Sequence, residues 1–236
     1  MNINEQLFNL YSSNLSGLQQ LYKELDDIDE KDYCGPFLVY CWEDFYNSSN
    51  YKLVIIGQET YGWEGSSDYI RNDDDVRRSI ESYRDFEIGK LYKKIFLKYA
   101  HNINHKLNGD SSTPNFVWTN INKFGKEDTA GKPAEDVLLR EVSYYNLFEK
   151  EIEILNPDVC IFLTGPNYDS NIKDKIPDIV FEEFLGYPLN ELALLKSSHL
   201  PQKSYRLYHP GYGNRYYEWY NEMIDKIIEH IMARMF

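Results

Sequence analysis

The sequence predicts an α/β protein, a three-layer αβα sandwich built on a central, mainly parallel four-stranded sheet. Three observations predict it. Short apolar runs at 52–56, 116–119, 159–163 and 205–208 each stop at a glycine or a polar residue. Stretches with apolar residues at helical spacing lie before, between and after them. Strands that alternate with helices in this way form a parallel sheet covered on both faces, which is why the runs are mostly apolar rather than alternating.

The elements follow in order. Leu7, Leu10, Tyr11, Leu18, Leu21, Tyr22 and Leu25 recur at helical spacing and predict an N-terminal amphipathic helix that the acidic run 26–32 ends. Pro36 suits the first turn of a shorter helix reaching about Tyr46. Lys52–Ile56 (KLVII) is the first strand, stopped by Gly57. Residues 64–77 are polar and acid-rich and read as a loop, whereas Ile80, Tyr83, Leu91, Ile95, Phe96 and Tyr99 predict a helix interrupted near Gly89. A loop-like stretch at 102–115 leads into the second strand, Phe116–Thr119. One long helix is expected over 135–155, broken by Asn156-Pro157. Val159–Leu163 is the third strand and Tyr205–Tyr208 a short fourth. A continuous stripe from Tyr216 through Trp219, Tyr220, Met223, Ile224, Ile227, Ile228 and Ile231 to Met232 predicts the closing helix, and core packing is the role for that stripe.

With 236 residues, 42% of them hydrophobic, one core and one domain are expected over 1–236, with 1–50 a helical N-terminal extension and 64–115 an insertion that includes a helix. Cys34, Cys41 and Cys160 lack the short paired spacing of a zinc or iron–sulfur site and are too few for a disulfide framework, so no metal, cluster or other cofactor is expected. No signal peptide or membrane span is visible, and a cytoplasmic location without membrane partners is the expectation. Oligomeric state is not encoded in any pattern. The net charge of −13 repels polyanions at long range. Yet residues 111–126 and 192–217 contain no acid and carry Lys123, Lys126, Lys196, Lys203, Arg206 and Arg215, either a basic face or a chance clustering.

In parallel sheets, ligands bind beyond the carboxyl ends of the strands. Here those ends carry Gln58-Glu59, Asn120, Thr164-Gly165 and His209. Gly57 permits a sharp turn and close backbone approach to a ligand. Glu59 would stand at the mouth of the sheet beside Tyr61 and Trp63, two aromatics able to sandwich a planar group; the plainer reading is a surface carboxylate in a turn. Asn120 offers donors and an acceptor that can read a nucleobase edge, or else caps a turn. Phe124 stacks on a ligand or lines a wall. Pro210 biases His209 toward extended backbone, making it a positioned donor or a hydrogen-bonded turn histidine.

The ordered set GQETYGW (57–63), TNINK (119–123), TGPNYD (164–169) and YHPGYGNR (208–215) resembles the uracil-DNA glycosylase superfamily across roughly residues 50–220. The resemblance implies a catalytic pair, Glu59 to polarise water and stabilise the sugar cation, and His209 to donate to the base oxygen as the base leaves. It implies Asn120 as the base-reading amide, Tyr61 as the residue that closes the pocket against a 5-methyl group, Gln58 as backbone support, and Arg215 as the arginine that follows the His-Pro motif. DNA, or another ligand containing a nucleobase, is the partner it implies. The chain departs from the family in carrying Glu59 where aspartate is usual, Thr60 for proline, and Gly211-Tyr212 in place of the wedge pattern, and it lacks the four cluster-binding cysteines of the thermophilic type. Three functions are therefore in view: a DNA N-glycosylase, a base- or nucleotide-binding module without chemistry, and an interaction protein that uses its tyrosine-rich surface.

Overall fold

A computed structural model describes residues 1–60, 62–63, 69–86, 94–212 and 217–233, with the backbone alone at 217. The chain is α/β, with helices packed around a mixed sheet. Helices α1 (Ile3–Ser13) and α2 (Leu15–Asp27) precede the short α3 (Glu43–Asn47) and strand β1 (Leu53–Gly57). Then come α4 (Asp73–Asp85), α5 (Ile95–Asn108), β2 (Val117–Asn120), α6 (Glu135–Tyr145), α7 (Phe148–Leu155) and β3 (Val159–Phe162). A 3-10 turn at Pro166–Tyr168 runs into α8 (Asp169–Lys175), followed by β4 (Val180–Glu183), β5 (Leu192–Lys196), β6 (Lys203–Leu207) and α9 (Tyr217–Met232).

The sheet has six strands in the order β2-β1-β3-β6-β5-β4, not the four of the sequence reading. The four expected strands are its parallel part: β1 pairs with β2 and β3, and β3 with β6. The two unexpected strands extend it antiparallel, β5 beside β6 and β4 beside β5. Val180-Phe181-Glu182-Glu183 escaped notice because an exposed edge strand needs no apolar face: Val180 is half exposed and Glu182 pairs with Lys196 across the strands.

Other differences have local causes. A break at Asn14 divides the N-terminal helical stripe, and its apolar positions stay buried on both sides of it. Residues 33–42 form no helix, and only Glu43–Asn47 is helical in place of the Pro36 helix. The backbone of 33–42 is paired elsewhere, with Cys34 bonded to Gly125 in both directions and the Phe37 amide donating to the Lys123 carbonyl. The acid-rich stretch expected as loop contains the start of α4. Asn72 caps it by accepting from the Asp74 and Asp75 amides, and three aspartates sit at the positive end of the helix dipole. α5 continues to Asn108, since Ile103 and Leu107 keep its apolar face inward until Gly109. The predicted long helix over 135–155 is α6 and α7, parted at Asn146-Leu147. Leu91 and Gly89 lie outside the described residues.

Beneath the carboxyl edge of the sheet lies a buried ionic layer. Lys123 donates to Glu151 at 2.5 Å and to Thr119 at 2.7 Å, and Tyr11 of α1 donates to the other Glu151 oxygen at 2.8 Å. Lys175 pairs with Glu141, which also accepts from the Lys123 amide. All four charged side chains are buried, so each survives only because its partner is there. None of the helices among the described residues is long and apolar enough to cross a membrane.

Candidate functional site

Order reverses between β1 and β3: from β1 the chain crosses to β2 on one side, then returns to place β3 on the other. A cleft opens beyond such a switch point. Here the β1–β2 pairing continues past the strands, with Ile121 donating to the Gly57 carbonyl and Asn122 to that of Gln58, both at 3.0 Å. Gly57, Gln58 and Gly62 are thereby held against Ile121, Asn122 and Lys126. Two glycines permit the approach. A Cβ on Gly125 would sit 1.4 Å from the Thr60 carbonyl oxygen, and one on Gly57 would meet the Asn120 Oδ1 at 2.4 Å.

The cavity at this edge measures about 910 Å³. Gly57, Gln58, Glu59, Trp63, Asn120 and His209 all line it, together with Phe86, Phe96 and Trp118 as aromatic walls. Arg78, Glu81, Ser82 and Asp85 of α4 and Lys94 also line it. Tyr61 and Arg215 lie outside the described residues. Phe124 is a correction: it is fully buried on the far side of its loop, its ring edge-on to Tyr22 and Tyr33, and it does not line the cavity.

Glu59 makes no ion pair within 4 Å among the described residues. Its Oε1 accepts from the Tyr168 hydroxyl at 2.7 Å and its Oε2 from Asn122 Nδ2 at 3.4 Å. Burial raises its carboxyl above the ordinary range, opposed by those two hydrogen bonds and by the charge of Lys132. Asn120 is oriented by chemistry that leaves no choice of flip. The indole of Trp118 can only donate, and it donates to Asn120 Oδ1 at 3.0 Å. The buried Nδ2 is left without a partner.

His209 is similarly fixed. The Gly211 amide donates to Nδ1 at 3.1 Å, which assigns the ring proton to Nε2. Burial lowers its pKa to about 4, so the imidazole is neutral near pH 7. Phe96 stacks parallel to it, centroids 5.8 Å apart. Gln58 ties the two middle strand ends together, Nε2 donating to the Thr164 carbonyl at 2.7 Å and to the Tyr212 hydroxyl at 2.9 Å.

Tyr168 and Asn122 stand inside TGPNYD and TNINK, but neither ends a strand, so no sequence pattern marks them. Phe96 carried no signal at all, since its spacing fits an ordinary helix stripe. Among the described residues, four of the six cations of the acid-free segments are buried or bonded within the chain. Lys123 and Arg206 are buried, the latter bonded to Asp169 and the Leu189 carbonyl. Lys196 pairs with Glu182, Lys203 donates to the Ile231 carbonyl, and Arg215 lies outside the described residues. For a metal, the described residues offer one group, Glu149, Asp178 and His199, whose ligand atoms lie within 4.8 Å of one another; Asp178 is already held by Ser197 and Ser198.

The fold and site together define a class: an α/β protein with an aromatic-walled cleft at a switch point, holding a carboxyl group, a carboxamide and a neutral imidazole. Comparison with family models, curated proteins and solved structures produced no match.

Proposed function

We propose that this chain is a uracil-DNA glycosylase-like protein, with the αβα sandwich of that superfamily, that hydrolyses the N-glycosidic bond of a damaged or non-standard base in DNA. One observation carries the proposal: Glu59 and His209, from the ends of β1 and β6, line the same aromatic-walled cavity, the histidine neutral and with Nε2 as its donor. An aromatic slot suits a planar base. As the bond breaks, negative charge grows on the base and positive charge on the sugar. A fixed N–H near the first and a carboxylate near the second bind the transition state better than the substrate. Water then supplies hydroxide to the sugar carbon and a proton to the departing base. Asn120 Nδ2, buried and unpartnered, gives a base acceptor its hydrogen bond.

The test is excision from single- and double-stranded oligonucleotides holding uracil, hypoxanthine, xanthine or alkylated bases, with protein in excess. Release of one of them is expected, with Glu59→Gln and His209→Ala each slower by about 10²–10⁴-fold. Absence of release from every substrate overturns the proposal.

A second reading, a nucleobase- or nucleotide-binding module without chemistry, draws on two observations. Burial favours the uncharged form of Glu59, and two cations of the acid-free segments are buried away from any polyanion. Stabilisation by a base or nucleotide in a thermal-shift screen, without turnover of any oligonucleotide, decides for it.

A further inference from the structure

We propose that Tyr168 is the positioning residue of this site, fixing the Glu59 carboxyl group in the cavity, and that Lys132 holds Tyr168. The inference rests on reading Glu59 as the working carboxyl group of the cavity. It deepens that reading by naming what controls the group.

Two successive residues after β1 are bonded to the segment after β3. Gln58 reaches the Thr164 carbonyl, and Glu59 receives the Tyr168 hydroxyl at 2.7 Å. Tyr168 is rigidly seated: it is buried and closes a 3-10 turn against the Gly165 carbonyl. The Lys132 ammonium lies 4.4 Å from the centre of its ring and donates to the adjacent Asn167 carbonyl at 2.6 Å. Lys132 therefore grips both the ring and the turn that carries it.

A phenol suits this task better than a second charge. It donates one hydrogen bond and stays neutral, since burial and the neighbouring carboxylate both push its own ionisation upward. A donor to a carboxylate favours the charged form. It thus opposes the desolvation that drives Glu59 toward neutrality. Among the described residues, four side chains act on the charge of Glu59. Lys132 favours ionisation and Glu141 of α6 opposes it, while Tyr168 and the neutral Asn122 are its hydrogen-bond donors. Tyr212 bears on Tyr168, and Glu141 is itself paired with Lys175. Among the described residues the second oxygen of Glu59 has only the long Asn122 contact, so the short Tyr168 bond sets the placement of the group and is the strongest influence opposing its desolvation.

The experiment is a carbon-13 NMR titration of glutamate-labelled protein, with the Glu59 signal assigned by its loss in Glu59→Gln. Tyr168→Phe keeps the ring under Lys132 and removes only the hydroxyl. Its Glu59 midpoint is expected to rise by about one pH unit or more. Lys132→Met should raise it by less, and Lys132→Arg should restore it. If a base is excised, the acidic limb of the rate profile should move upward with the NMR midpoint. An unmoved midpoint in Tyr168→Phe overturns the proposal. Should that variant fail to fold, Lys132→Met decides, and an unmoved midpoint there overturns it equally. A moved midpoint with no excision by any variant leaves the clamp standing and removes the glycosylase reading instead.

Discussion

At the scale of the residue, His209 shows how one backbone amide converts a side chain into a tool. The Gly211 amide takes Nδ1, so Nε2 must carry the proton, and burial keeps the ring uncharged. The same burial couples stability to pH. An unfolded histidine binds its proton near 6.5, whereas the folded one waits until about 4. Between those values the unfolded state holds more protons, so stability is fully present above 6.5 and is lost as pH falls toward 4. The full shift corresponds to roughly 3 kcal/mol, an upper value that solvent screening at the cleft reduces. Glu59 acts with the opposite sign. Its folded carboxyl is raised, so its contribution is present at low pH and fades as pH rises through that value. His209→Gln should therefore flatten the loss of stability between pH 6.5 and 4 in urea unfolding. An unchanged slope would contradict a partly buried, neutral imidazole.

Elements meet here through two devices with measurable consequences. The first is close approach. Gly125→Ala places a methyl inside the Thr60 carbonyl, and backbone on both sides must part to admit it. Overpacking of this kind costs about 1–3 kcal/mol or more, and it should displace Glu59 with Thr60. Chemical denaturation together with the Glu59 NMR signal checks both halves. The second device is the buried ionic layer that joins α1, α6, α7 and α8 to the end of β2. Lys123→Met leaves Glu151 charged and unpaired, an expected loss of about 3–5 kcal/mol, whereas pairing it with Glu151→Leu should recover much of that. Equal losses in the single and double variants would show that packing rather than charge pairing holds this layer.

Considered whole, the molecule uses its N-terminal segment as structure rather than ornament. Leu7, Tyr11, Leu18, Leu21 and Leu25 are buried, and the Tyr11 hydroxyl connects Glu151 to the backbone of Val39. Removing residues 1–27 would bare an apolar face and leave a buried carboxylate short of a donor. Calorimetry of the intact chain should show one cooperative transition, and the truncated chain should show none. A truncated protein that still melts cooperatively would establish 1–27 as a dispensable addition.

The four parallel strands were legible because a strand buried on both faces is mostly apolar, with the few polar residues such as Thr119 and Arg206 finding partners, and β1, β2, β3 and β6 are buried almost throughout. Strand ends were legible for the same reason: Gly57, Asn120 and His209 interrupt apolar runs where the chain leaves the core. Hidden from the sequence were β4, whose exposed residues need no pattern, and the true fate of Phe124, Lys123 and Arg206. Residue type states that a phenylalanine seeks burial and that a buried lysine needs a partner; it does not state which side of a loop faces the core. The sequence by itself determined that Gln58, Glu59, Asn120 and His209 follow the carboxyl ends of alternating strands, and these residues line one cavity. Only the tertiary structure decided that Tyr168, more than a hundred residues from Glu59, donates to it, that Trp118 turns Asn120 into a donor, and that Phe96 stacks on His209. Those contacts depend on ångström distances between segments remote in sequence, and no local spacing encodes them.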